Sequence, residues 1–169
     1  MKGSINRCKG MPYVRKEYIK GSPLQKITKF MMGNCSATFP VKVTLLPLNR
    51  VQIKQNAIES ARITSNKILA DKLGETEYCL KIRIYPHVIV RENKMMAFAG
   101  ADRIQEGMRH AFGKPVGLAA RVNPGQSLID VFVNKEGVEV AKMALKLGGS
   151  KMPSPCIIET TENKNAIGR

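Results

Sequence analysis

Arg103, Arg109 and Lys114 sit in a glycine-rich stretch from Lys94 to Gly117 that also carries Gly100, Gly107, Gly113 and Pro115. Guanidinium groups pair bidentately with phosphate and stack on bases, and glycine lets backbone come close to a partner. Neither the helical nor the strand period runs through the stretch, which marks it as a long projecting central loop. Met95, Met96, Phe98, Ile104, Met108 and Phe112 give it more apolar content than a solvated linker carries. We expect a loop that orders against an anionic partner.

Other reactive side chains point to no catalysis. Asp102 and Glu106 stand four residues apart, but paired carboxylates divide acid and base work only where their surroundings split their pKa values. Arg103 and Arg109 lie close by and offer ion pairing as the simpler role. The glycines match neither phosphate-loop pattern. Cys8, Cys35, Cys79 and Cys156 form no C-x-x-C pair, and His87 and His110 lack zinc-like spacing from them. The expectation is therefore no enzyme, no metal, no cofactor, no small-molecule substrate, a structural role for His87, and free thiols in a cytosolic chain. No apolar leader and no run of membrane-spanning length is visible.

The chain has 169 residues, 28 Lys and Arg against 13 Asp and Glu, and a net charge of +15. Charge of that size selects polyanionic partners. Its density is highest at the N-terminus, where Lys2, Arg7, Lys9, Arg15, Lys16, Lys20, Lys26 and Lys29 are opposed by Glu17 alone. Gly3, Gly10, Pro12, Gly21 and Pro23 break any helix there, and Tyr13 and Tyr18 are interleaved with the cations. Such an arm repels itself until phosphates neutralise it, and its tyrosines can stack on unpaired bases. Arg7, Lys9, Arg15, Lys16 and Lys20 of the arm are the candidate RNA contacts, with Arg91, Lys94 and Arg121 around the loop.

The elements that must position these groups follow from periodicity. Phe39 to Leu48 reads as a strand bounded by prolines. Val51 to Leu73 reads as an amphipathic helix ended by Gly74, and the small residues in its Ala57, Ile58, Ala61, Ser65, Ile68, Leu69 stripe imply close approach to a sheet. Tyr78 to Tyr85 alternates as a half-buried strand, and His87 to Val90 continues after Pro86. Val116 to Val122 and Ser127 to Val133 read as strands joined by the turn Asn123-Pro124-Gly125. Asn134 then caps a helix from Glu136 to Leu147, with Val140, Met143, Ala144 and Leu147 on its buried face and Gly148-Gly149 ending it. Cys156 to Glu159 reads as a last short strand. The expected fold is α+β, with a mainly antiparallel or mixed sheet and two packed helices. The division is a basic extended arm over 1–38, a core over 39–160 containing the loop 94–117, and a polar tail over 161–169.

Four segments carry a resemblance to a known family. GADRIQEGMRHAFGKPVG in the loop, CKGMPYVRKEYIKGSP in the arm, AIESARITSNK in the first helix and LKIRIYPHVIVRENKM before the loop resemble a large-subunit ribosomal protein family. It is called L-ten-e in archaea and eukaryotes and L-sixteen in bacteria, and the likeness is to the archaeal–eukaryotic branch, from about Ile5 to Pro155. The resemblance implies a cytoplasmic component of the large ribosomal subunit, bound to large-subunit rRNA near the tRNAs and the peptidyl transferase centre, beside neighbouring subunit proteins. Peptidyl transfer there belongs to RNA. It also implies that Ala101 to Lys114 reaches toward tRNA, with Arg103, Gln105, Gly107, Arg109 and Lys114 in the contacting loop. This chain has Ile104, Glu106, His110 and Val116 where the branch has Leu, Thr, Gly and Gln, and Glu106 adds negative charge beside RNA. The alternative is a free RNA-binding assembly or translation-regulating factor, for which no RNP, KH or zinc-knuckle signature is present.

Affinity of the purified protein for a large-subunit rRNA fragment should fall roughly 10³–10⁵-fold between 50 and 200 mM salt if about six to ten phosphates are contacted. A flat salt dependence in binding titrations would refute this.

Overall fold

The computed structural model describes residues 6–8, 10–94 and 107–162. Lys9, residues 95–106 of the central loop, including Arg103 and Gln105, and the tail beyond Glu162 lie outside the described residues.

Val41–Pro47 (β2) is rich in β-formers and is buried along most of its length. It pairs antiparallel with Ile129–Val133 (β7) on one side and with Cys156–Glu162 (β8) on the other. Tyr78–Ile82 (β4) lies beyond β7, and the three residues Met31–Gly33 (β1) form that edge, giving the order β1-β4-β7-β2-β8. The β2–β7 register sets Val41 opposite Val133, Val43 opposite Val131 and Leu45 opposite Ile129. Side chains alternate across a strand, so these residues line the core face. The opposite face carries Lys42, Thr44, Cys79, Lys81 and Asp130. Asp130 is buried there, accepts from Ser127 Oγ, and pairs with Lys42 at 3.1 Å and Arg83 at 3.5 Å. A buried carboxylate needs such partners, because leaving it unpaired costs several kcal/mol, of order 3–5.

Gln55–Leu73 (α1) and Val138–Gly149 (α2) pack on each other and cover the core face, α2 over β2, β7 and β8, α1 over β4. A second antiparallel sheet, Val51–Lys54 (β3), Lys114–Val122 (β6) and Val88–Glu92 (β5), has the order β3-β6-β5 and meets the first turn side of α1. Asn123-Pro124-Gly125 carries the chain from one sheet to the other, with Gln126 N donating to Asn123 O at 3.2 Å and Gly125 at φ 74°. The α+β architecture and its two helices are as expected from the sequence.

Several boundaries differ, each for a tertiary reason. The first helix begins at Gln55, because Val51–Lys54 finds a strand partner in β6 and pairing outweighs local helical pattern. Its small stripe meets the second helix as well as the sheets: Ser65 Oγ donates to Ala144 O at 3.2 Å, and Gly148 packs against Ser65 and Ala61. That contact also rotates the second helix. Ala141, Ala144, Leu145 and Gly148 are buried, while Met143 and Leu147 are 47% and 46% exposed. Gly148 thus serves helix–helix approach inside the last turn, Gly149 faces Leu45 and Cys156 of the sheet, and Ser150 is the cap. Asn134 makes no side-chain cap bond; a short 3-10 turn, Lys135–Gly137, precedes the helix, and the Asn134 amide donates to Glu77 Oε2 at 3.1 Å. The strand from Tyr78 leaves the ladder after Ile82, although Ile84 stays buried. Cys35 and Cys79 are joined in a disulfide, so only Cys8 and Cys156 remain free thiols among the cysteines.

Residues assigned to the arm and tail also reach the core. Ile27 is 2% exposed, β1 is a sheet strand, and Thr161 and Glu162 pair with Lys42 and Val41.

A Cβ at position 148 would overlap Ser65 Oγ. Gly148→Ala should therefore cost about 1–3 kcal/mol by denaturant unfolding. Ser65→Ala in the same chain removes the overlapping atom, and the double variant should regain part of that loss.

Candidate nucleic-acid interface

The three-stranded sheet is the platform of the site. Its outer strands β3 and β5 present unpaired backbone groups, which a folded chain must cover or pair. The arm supplies the partners. Gln52 N donates to Asn6 O at 2.9 Å, and Arg7 forms an antiparallel bridge with Val51 at the β3 edge. Across the sheet, Ile89 N of β5 donates to Tyr13 O at 2.9 Å. Between these points Arg121 of the central strand β6 donates from Nη1 to Gly10 O at 2.7 Å and from Nε to Gln52 Oε1 at 3.1 Å. The arm is thus a strap laid from one edge of the small sheet to the other.

Beyond Tyr13 the strap meets the base of the central loop. The Arg91 guanidinium lies 3.5 Å from the centroid of the Phe112 ring and 5.1 Å from that of Tyr13, and the two rings meet edge to face at 5.4 Å. Arg91 Nη1 also donates to Phe112 O at 2.9 Å. A cation over aromatic faces contributes about 0.5–2 kcal/mol, more as water is excluded. The β5–β6 ladder explains why Phe112 arrives there. Its register shifts between Val90 and Arg91, opposite Pro115, which has no N–H to give a ladder. Gly113 then turns at φ 71°, where a Cβ would overlap the backbone of Glu92 and Asn93. Only glycine brings the returning chain so close to the outgoing one.

Around this base the cations face solvent. Arg7, Arg15, Lys16, Lys20, Lys94, Arg109 and Lys114 are exposed, and Arg15 lies 5.9 Å from the ring of Tyr18, itself 72% exposed. Gly107 and Arg109 belong to a single 3-10 turn, Gly107–His110, and Lys114 opens β6 opposite Glu92. Next to the loop base a cleft of about 110 Å³ is lined by Lys26, Lys54, Gln55, Glu92 and Val116. Among the candidates, Arg91 and Arg121 are part-buried and bound to the protein's own chain. The sequence reading missed that role. Its signal was the aromatic at 112 in a loop otherwise polar near its end, facing an arm with a tyrosine.

Exposed guanidinium, ammonium and phenol groups can neutralise phosphates and stack on unpaired bases. His87 is exposed and its Nδ1 donates to Tyr85 O at 3.0 Å. Among the described residues no group of three His, Cys, Asp or Glu could hold a metal ion, and no helix is long and apolar enough to cross a membrane.

Comparison with known proteins bears on what this surface serves. Residues 8–159 match the family described as ribosomal protein L16p/L10e. The large ribosomal subunit protein uL16 of Staphylothermus marinus is 54% identical over 149 residues, 88% of this chain and 86% of the relative. That of Hyperthermus butylicus is 54% identical over 146 residues, covering 86% and 81%. That of Methanococcus maripaludis is 48% identical over 155 residues, covering 92% and 90%. With the pattern matched from the arm to the last strand, and with relatives of nearly equal length, the chain belongs to the ribosomal protein L16p/L10e family.

Proposed function

We propose that this chain is a structural constituent of the large ribosomal subunit in the cytoplasm. It binds large-subunit rRNA near the tRNA sites and the peptidyl transferase centre, beside neighbouring subunit proteins, and supports tRNA positioning. The observation that carries this reading is the family match over residues 8–159 joined to a net charge of +15. A strapped arm and a closed loop base are what an rRNA anchor requires, since both aim cations outward from a rigid sheet. Arg7, Lys9, Arg15, Lys16, Lys20 and Lys94 supply rRNA contacts in this reading. Arg91 and Arg121 act through the arm and the loop base that they hold. Arg103, Gln105, Gly107, Arg109 and Lys114 form the loop that faces tRNA. The protein shapes and stabilises an RNA site and contributes no catalytic group to it.

The two kinds of arginine separate in a salt titration. Arg15→Ala should lower the slope of log affinity against log salt by about one phosphate contact or less. Arg121→Ala should weaken binding to the rRNA fragment through a loosened arm, with a slope change beyond that single contact. A change of no more than one contact for Arg121→Ala would make it an ordinary phosphate ligand.

The loop has its own test in reconstituted ribosomes. Replacing Gln105 to His110 by a short Gly/Ser linker should leave subunit occupancy near normal, since loop closure depends only weakly on length. Binding of tRNA and peptide synthesis should fall. Normal synthesis at normal occupancy would remove the loop's role, and lost occupancy would show that the loop is needed to build the subunit.

A further inference from the structure

The disulfide between Cys35 and Cys79 lies on the face of the five-stranded sheet turned away from the helices. Backbone holds the two residues together without any help from the sulfurs. Gly33, opposite Cys79 in the β1–β4 register, turns at φ 78°, and a Cβ there would overlap Tyr78 O. Asn34 N donates to the same Tyr78 O at 2.9 Å, and Cys35 N donates to Gly33 O at 3.2 Å. The Cα atoms are 4.8 Å apart, within the span a disulfide bridges. Thiols fixed in this way meet at high effective concentration and re-close within the molecule. Their access is unequal. Cys35 is exposed, whereas Cys79 is 6% exposed.

We propose that this pair is a reversible redox modification site for small-molecule thiols, with Cys35 the sulfur that is attacked and Cys79 the resolving sulfur. A small thiolate attacks Cys35 Sγ; a mixed disulfide forms there as the Cys35–Cys79 bond breaks, and Cys79 leaves as thiolate and takes up a proton. A second thiolate attacks the small-molecule sulfur of the mixed disulfide and releases Cys35, so two thiols supply two electrons and leave as one small-molecule disulfide. In the oxidising direction Cys79 thiolate expels the small thiolate from Cys35. The bond spans a sequence separation of 44 residues that contains β2, β3 and α1. Closing it restricts the unfolded chain and fastens the exit of β1, where the arm joins the sheet. Cys8 and Cys156 have no such partner; Cys156 is half-buried, and burial pushes its thiol up.

The test uses the full chain with Cys8→Ser and Cys156→Ser, so that only the pair remains. After treatment with oxidised glutathione, alkylation should find no free thiol, and a dithiol reductant should lower Tm by about 10 °C. Adding Cys79→Ser should leave a stable glutathione adduct on Cys35. Adding Cys35→Ser instead should give an adduct on Cys79 on the order of tenfold more slowly. Two free thiols after oxidation, or a Tm indifferent to the reductant, would overturn the clasp. Equal rates of adduct formation would overturn the assignment of Cys35 as the attacked sulfur. Because the pair is intact in the reductant experiment, a poorly folding single variant does not remove the test.

Discussion

The pairing of β6 between β3 and β5 is the constraint on which the candidate nucleic-acid face depends. A three-stranded sheet has two open edges, and here the same arm meets both, at Gln52 and at Ile89, with Arg121 of the middle strand holding Gly10 between them. Were β6 to slip by one residue, Arg121 would turn to the other face and its bond to Gly10 would be lost. The bulge at Val90 and Arg91 opposite Pro115 acts at the same ladder. It sets the returning chain so that Gly113 can pass Glu92 and Phe112 can stack on Arg91. One ladder therefore fixes both the path of the arm and the base of the loop.

Electrostatics divides the arginines into two sets. A net charge of +15 disfavours compaction through self-repulsion. The chain answers by giving several cations internal partners: a carbonyl and two aromatic rings for Arg91, Gly10 O and Gln52 Oε1 for Arg121, Glu59 for Arg62, and the buried carboxylate of Asp130 for Lys42 and Arg83. Among the described residues, Arg7, Arg15, Lys16, Lys20, Arg109 and Lys114 are exposed to solvent, where phosphate can neutralise them. Long-range charge favours a polyanionic partner, and short-range pairing shapes the surface offered to it.

Glycine has three different uses in this fold, and they are not interchangeable. Gly33 and Gly113 adopt left-handed backbone pressed against a neighbouring chain, so each needs both the conformation and the missing Cβ. Gly125 needs only the turn conformation. Gly148 is an ordinary helical residue whose missing side chain lets two helices approach.

By itself the sequence determined the α+β class, the long helix with its stop at Gly74, the strands around Val43, Leu80, Ala120 and Val131, the basic arm and the family. Each is a matter of local period, turn chemistry or charge, which a linear reading contains. What only the tertiary structure decided is where such local signals compete or where partners are remote. Val51 to Lys54 carries a helical pattern and becomes a strand because β6 offers hydrogen bonds. The buried face of α2 is set by how closely Gly148 can approach Ser65, which the order of Val140, Met143 and Leu147 does not encode. Cys35 and Cys79 stand 44 residues apart and meet only through the β1–β4 register. Arg91 and Arg121 look like any other surface arginine along the chain, and become internal struts because the arm folds back over the sheet. A residue's type limits what it can bond to, and the fold alone selects which of those partners comes within reach.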